Sequence, residues 1–149
     1  MVCSLYTNLM QMKELFNNRF QKFYYDPTRK LFTNIWKPDS QLLDEAHYKK
    51  EQVTLWNNIR KVRPKFVASD NTQFLYAIDP VLQDWVASEI DRLIADVRLE
   101  RIAIVLSQDF LALLTIKQTI EEGRFKNITC FFETPQDAEG WLFTSSKAA

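Results

Sequence analysis

The chain has 149 residues, the usual size of one domain and enough to bury a core without disulfide staples. Hydrophobic residues make up 46% and charged residues 26%, a balance that excludes a disordered chain. Nineteen basic side chains offset nineteen acidic ones, so no long-range attraction to nucleic acid or to an acidic membrane is expected.

Residues 1–19 read as an N-terminal extension. Leu5, Leu9, Met12 and Phe16 recur at helical spacing there and predict a short helix. The N-terminus carries no basic segment followed by an apolar core, so it is not read as a secretory signal. Two strands follow, Phe20–Tyr25 and Leu31–Trp36, both alternating and rich in aromatic and β-branched residues. Asp26-Pro27-Thr28-Arg29 between them is turn chemistry, and the pair reads as an antiparallel hairpin. A long helix is predicted from about Gln41 to Val62, with Asp39 or Ser40 as its cap and Leu42, Leu43, Ala46, Val53, Trp56 and Ile59 as its apolar stripe. Pro64 closes that region.

Strands and helices then alternate. Lys65–Ser69 is a short strand, and Asp79-Pro80 starts a helix to about Val97. Arg101–Leu106 is apolar enough for burial on both faces. Ser107 caps a helix over Gln108–Glu122 that stops at Gly123. Asn127–Glu133 is the last strand, and Thr134-Pro135 opens a final helix through Leu142. The main domain spans residues 20–144, and 145–149 form a tail. The predicted class is α/β: a five-stranded mixed sheet in the order ββαβαβα, with an N-terminal antiparallel hairpin followed by parallel strands joined by crossover helices.

The longest apolar runs, Ile102–Leu106 and Phe110–Leu114, are too short to span a bilayer, so no membrane partner is expected. Two cysteines, Cys3 and Cys130, are too few for a disulfide framework, and Cys130 lies in an apolar run that predicts a buried, reduced thiol. Together these features predict a cytoplasmic setting.

Three stretches carry a family resemblance. They are the hairpin ending in Ile35-Trp36; Asp70-Asn71-Thr72-Gln73-Phe74 with the following Asp79-Pro80-Val81-Leu82-Gln83-Asp84-Trp85; and Phe131 to Leu142. With the element order, and over about Phe20–Leu142, the chain resembles the STAS domain family of anti-sigma-factor antagonists and its small stand-alone bacterial relatives. The resemblance implies a regulatory, non-enzymatic role. In that family a serine after the aspartate of the third strand is phosphorylated and controls partner binding. This sequence keeps Asp70 but has Asn71 in the serine's place and lacks the glycine that follows, which leaves Thr72 as the phosphorylation candidate.

No catalytic or metal constellation stands out, and no cofactor is expected. His47 is the only histidine, and a general base needs an oriented partner. No second His or Cys sits at metal-ligand spacing. Gly123 and Gly140 belong to no phosphate-binding loop. Arg60, Lys61, Arg63 and Lys65 cluster near Trp56, but cations at a helix C-terminus already suit the helix dipole, so no nucleic-acid partner is expected. Asp70 ends a parallel-type strand, where α/β sheets place ligands; it reads either as a polar anchor or as the carboxylate of an Asx-turn. Phe74 and Tyr76 lie in a predicted loop, either exposed as an interface or folded onto the core, and Phe110 can line the same edge. The candidate site is therefore Asp70, Asn71, Thr72, Phe74, Tyr76 and Phe110. The leading expectation is an interaction domain that binds a protein partner or a second copy of itself there. The alternative is a small-molecule ligand at the C-terminal edge of the sheet.

Overall fold

Backbone pairing gathers six strands into one mixed sheet in the computed structural model, which describes residues 12–144. The strands are β1 (Lys13–Asn17), β2 (Gln21–Asp26), β3 (Leu31–Trp36), β4 (Phe66–Asp70), β5 (Arg101–Val105) and β6 (Thr129–Phe132), and they lie side by side in chain order. β1 to β3 are antiparallel, and β3 to β6 are parallel. Three helices connect the parallel strands: α1 (Glu45–Val62), α2 (Pro80–Val97) and α3 (Phe110–Glu122). A fourth, α4 (Pro135–Leu142), follows β6. When each strand pairs with its successor, crossovers of one hand stack their helices on one face. The main core accordingly joins Phe23, Phe32, Val67, Ile102 and Ile104 of the sheet to residues of α1, α2 and α3. Alternate residues of the same strands point the other way, where Leu31, Ala68, Ala103 and Val105 meet Ala138 and Leu142 of α4. Ala68, Ala103 and Ala138 have no exposed surface, and their small side chains let α4 lie close against β4 and β5.

The sheet has six strands where five were expected. The additional one is β1, inside the segment read as an extension with a helical spacing. A β-bulge explains the misreading. The register shifts between Glu14 and Phe16, so Leu15 and Phe16 both pack on the main core and the strand's alternation is lost. Of the expected helical positions, Leu5 and Leu9 lie outside the described residues, as does the predicted tail 145–149.

The first helix begins later than expected. Pro38–Leu42 forms a 3-10 turn, and α1 is capped by Asp44, whose side chain accepts from the His47 N–H. Its buried face is Tyr48, Glu51, Gln52, Leu55, Trp56 and Ile59, whereas Leu42, Ala46 and Val53 are exposed. α3 is capped by Asp109 rather than Ser107. Residues 124–128 form a 3-10 turn, which shortens the last strand to four residues. Asp79 and Thr134 cap α2 and α4 with proline in the first turn, as the sequence predicts.

Candidate functional site

β4 ends at Asp70, so the following loop leaves the sheet at its C-terminal edge between α1 and α3. The first turn of that loop is an Asx-turn. Asp70 Oδ1 accepts from the Thr72 N–H at 3.0 Å and from the Thr72 hydroxyl at 2.7 Å. Asp70 is 2% exposed, and its second oxygen, Oδ2, is buried without a hydrogen bond. The carboxylate is thus turned into the fold, away from any ligand at the rim. Thr72 is half-buried with its hydroxyl held by Asp70, so a phosphate there would displace the bond that shapes the turn.

The rest of the predicted loop turns inward. Asn71 is buried; its N–H donates to the Val105 carbonyl, and its amide donates to the Ser69 carbonyl and hydroxyl. Phe74 is 2% exposed and packs on Trp36 with ring centroids 4.8 Å apart. Tyr76 stacks on Tyr48 at 4.6 Å. Burial raises the Tyr76 hydroxyl above its ordinary pKa, and nearby Glu45, Asp79 and Asp44 add to the effect. Tyr48 is raised further, again by burial first. Ser40 and Ser107 pin the loop from both sides: Ser40 Oγ accepts from the Leu75 N–H, and Ser107 Oγ donates to the Phe74 carbonyl.

Asn71 and Phe74 instead line a cavity of about 120 Å³ between the sheet and α1–α3. Three buried polar residues, Gln21, Asn34 and Glu51, are linked there; Asn34 lines the cavity, and none was legible as a site residue. Gln21 Nε2 donates to the Glu51 carbonyl and carboxylate, both at 3.0 Å, and Asn34 Nδ2 faces Gln21 Oε1 at 3.5 Å. Asn18 Nδ2 donates to both Glu51 oxygens. The available signal was their position, since Gln21 and Asn34 alternate with apolar strand residues and Glu51 and Gln52 sit in the stripe of α1.

Phe110 stands apart from this group. It is 75% exposed on the first turn of α3, with Leu111 and Leu114 beside it on the same helix and exposed. Val81, 76% exposed, stands on the first turn of α2. The Ile78 N–H donates to Thr115 Oγ1, and Gln83 donates to Gln118, so the start of α2 runs along α3. The four side chains therefore stand in the first two turns of neighbouring helices. Asp79 and Asp109 cap the two helices at that end, and Asp84 lies beside Glu122 further along them. Glu122 is held above the usual carboxylate range, by desolvation first and then by Asp84.

The basic cluster offers no stacking platform. Trp56 is 4% exposed, Arg60 and Arg63 both bond Asp96, and Lys65 pairs with Glu100. His47 is exposed, with Nδ1 2.6 Å from Asp44 Oδ1. Cys130 is a free thiol, half-buried rather than buried. Among the described residues no group of three or more His, Cys, Asp or Glu side chains is placed to hold a metal, and no helix is long and apolar enough to cross a membrane. Comparison with protein-family models, curated proteins and solved structures returned no match.

Proposed function

We infer that the chain is a non-enzymatic, STAS-like regulatory domain that docks a protein partner on the rim formed by the first turns of α2 and α3. The exposure of Phe110, Leu111 and Leu114 on α3, with Val81 exposed on the first turn of α2, carries the reading, because exposed large apolar side chains grouped on one helix mark an interaction surface. The element order, the aspartate turn after β4 and its position at the C-terminal edge of the sheet support the family reading.

Charge favours a partner over a second copy. Asp79 and Asp109 cap the two helices at the patch, and a two-fold contact between identical patches would set carboxylates against carboxylates. The partner that fits is an amphipathic segment with apolar anchors and Lys or Arg beside them.

Selection from a displayed library of helical peptides tests this. Apolar peptides rich in Lys and Arg are expected to be enriched, and to bind Phe110→Ser at least about tenfold more weakly. Phe110 is exposed, so circular dichroism of the variant should match the wild type. Selected peptides that bind Phe110→Ser as well as the wild type would sink the reading. Dimerisation of the wild type that Phe110→Ser abolishes would replace the partner with a second copy.

A further inference from the structure

The cavity between the sheet and α1–α3 has a wall chemistry that selects its occupant. No charged side chain lines it. Trp36, Tyr48, Trp56 and Phe74 contribute aromatic surface. Asn34, Gln52, Ser69, Asn71 and Thr119 supply its polar wall, and among them Asn34, 1% exposed, has an Oδ1 that is buried and accepts no hydrogen bond.

The hydrogen-bond chain fixes which atom of Asn34 is left over. The Glu51 carboxylate and carbonyl can only accept, so Gln21 must turn its NH₂ toward them. That leaves Gln21 Oε1 facing Asn34, which must answer with its own NH₂. Asn34 Oδ1 is therefore the free end of a chain with one direction, and it is an acceptor. Ser69 pairs with Asn34 on the neighbouring strand and lines the same cavity. Its hydroxyl oxygen already accepts from Asn71 at 3.1 Å.

The geometry points to a binding site for a small, neutral, single-ring aromatic molecule that carries one hydrogen-bond donor. Neutrality follows from walls without a counter-charge, since a charged ligand would be stranded there. Size follows from volume: a cavity of about 150 Å³ with apolar walls accepts benzene, and this one is slightly smaller. The donor is what Asn34 Oδ1 lacks. A water molecule satisfies that oxygen but leaves the aromatic walls unfilled, so water is the rival occupant. The site does not depend on the docking reading.

The experiment titrates the whole protein with phenol and with toluene, which has a similar ring but no donor. Binding is read from the methyl resonances of Val67, Ile104 and Ile116. Phenol is expected to give saturable shifts at these methyls and to bind at least about tenfold more tightly than toluene. Asn34→Leu should remove that preference. Val67→Phe, which fills the cavity without touching the amide chain, should abolish binding of both. If Asn34→Leu loses its near-ultraviolet dichroism, Val67→Phe decides alone. The site is refuted if phenol leaves the methyls unshifted (a cavity holding only water), if toluene binds the wild type as well as phenol, if a folded Asn34→Leu keeps the wild-type preference, or if a folded Val67→Phe still binds phenol.

Discussion

Arg29 reaches from the β2–β3 turn to two carboxylates in different elements. Its guanidinium lies 2.8 Å from Asp26 and 2.5 Å from Glu139 of α4, and its carbon sits over the Phe143 ring. Burial pushes the Asp26 carboxyl up, but the bonds and charge of Arg29 outweigh it and hold the group below the ordinary carboxylate range. Removing the guanidinium takes the counter-charge from both carboxylates. Because a quarter of the Arg29 side chain remains exposed, Arg29→Met is expected to cost about 2–3 kcal/mol in urea unfolding, less than a fully buried pair. A carboxylate with a lower pKa in the fold than in the open chain stabilises the fold above the open-chain value. That contribution disappears as pH falls through the folded value. Wild-type stability should therefore drop on acidification from the ordinary carboxylate range, and the Arg29→Met profile should be flatter. The turn itself was legible, since Asp26 Oδ1 accepts from the Thr28 and Arg29 N–H groups as an Asx-turn residue does. The reach to Glu139 was not, because the two residues are 110 positions apart and only the close seat of α4 brings them together.

The two glycines separate local from tertiary constraint at the scale of the element. Gly123 ends α3, and a Cβ built there would lie 2.1 Å from the Phe125 ring, which is buried and lines the cavity. Asp91 of α2 holds that corner by accepting from the Arg124 and Phe125 N–H groups. Gly123→Ala must therefore displace Phe125, with an expected loss of about 2 kcal/mol in thermal or urea unfolding. Gly140 lies inside α4, and a Cβ there meets nothing within 4 Å. Nothing in the structure explains this glycine, and Gly140→Ala should raise stability by about 1 kcal/mol, the helix-propensity difference. An unchanged or lower melting temperature would show that α4 needs the glycine. The helix starts at Asp79-Pro80 and Thr134-Pro135 were legible because capping acts within a few residues. α1 was misplaced because Asp39 and Asp44 both resemble caps, and the 3-10 turn at Pro38–Leu42 occupies the first.

Across the whole molecule the zero net charge conceals a polarity. The helices start at the C-terminal edge of the parallel strands, where Asp44, Asp79 and Asp109 cap α1, α2 and α3 and Asp137 lies in the first turn of α4. α1 and α2 end in Arg60, Lys61, Arg63 and Arg98, and Arg124 and Lys126 follow α3. Each group suits the helix dipole at its own end, and the dipoles point the same way. The acidic end coincides with the apolar rim. Binding of a Lys- or Arg-rich apolar peptide should therefore weaken as salt rises from about 50 to 500 mM, through a slower association rate that stopped-flow fluorescence can follow. Salt-independent association would argue that the apolar side chains act alone.

Composition, capping and hydrophobic period were enough to establish an α/β chain with a hairpin followed by alternating strands and helices, because each signal acts over a few neighbouring residues. They could not reveal β1, whose bulge erases the alternation, nor that Phe74 is buried while Phe110 is exposed, since both are phenylalanines near the same sheet edge. Nor could they show that Gln21, Asn34 and Glu51 form one directed chain beside a cavity. Those outcomes depend on which side chains the sheet and helices bring together from distant parts of the sequence. That is a matter of packing, and local propensity carries no record of it.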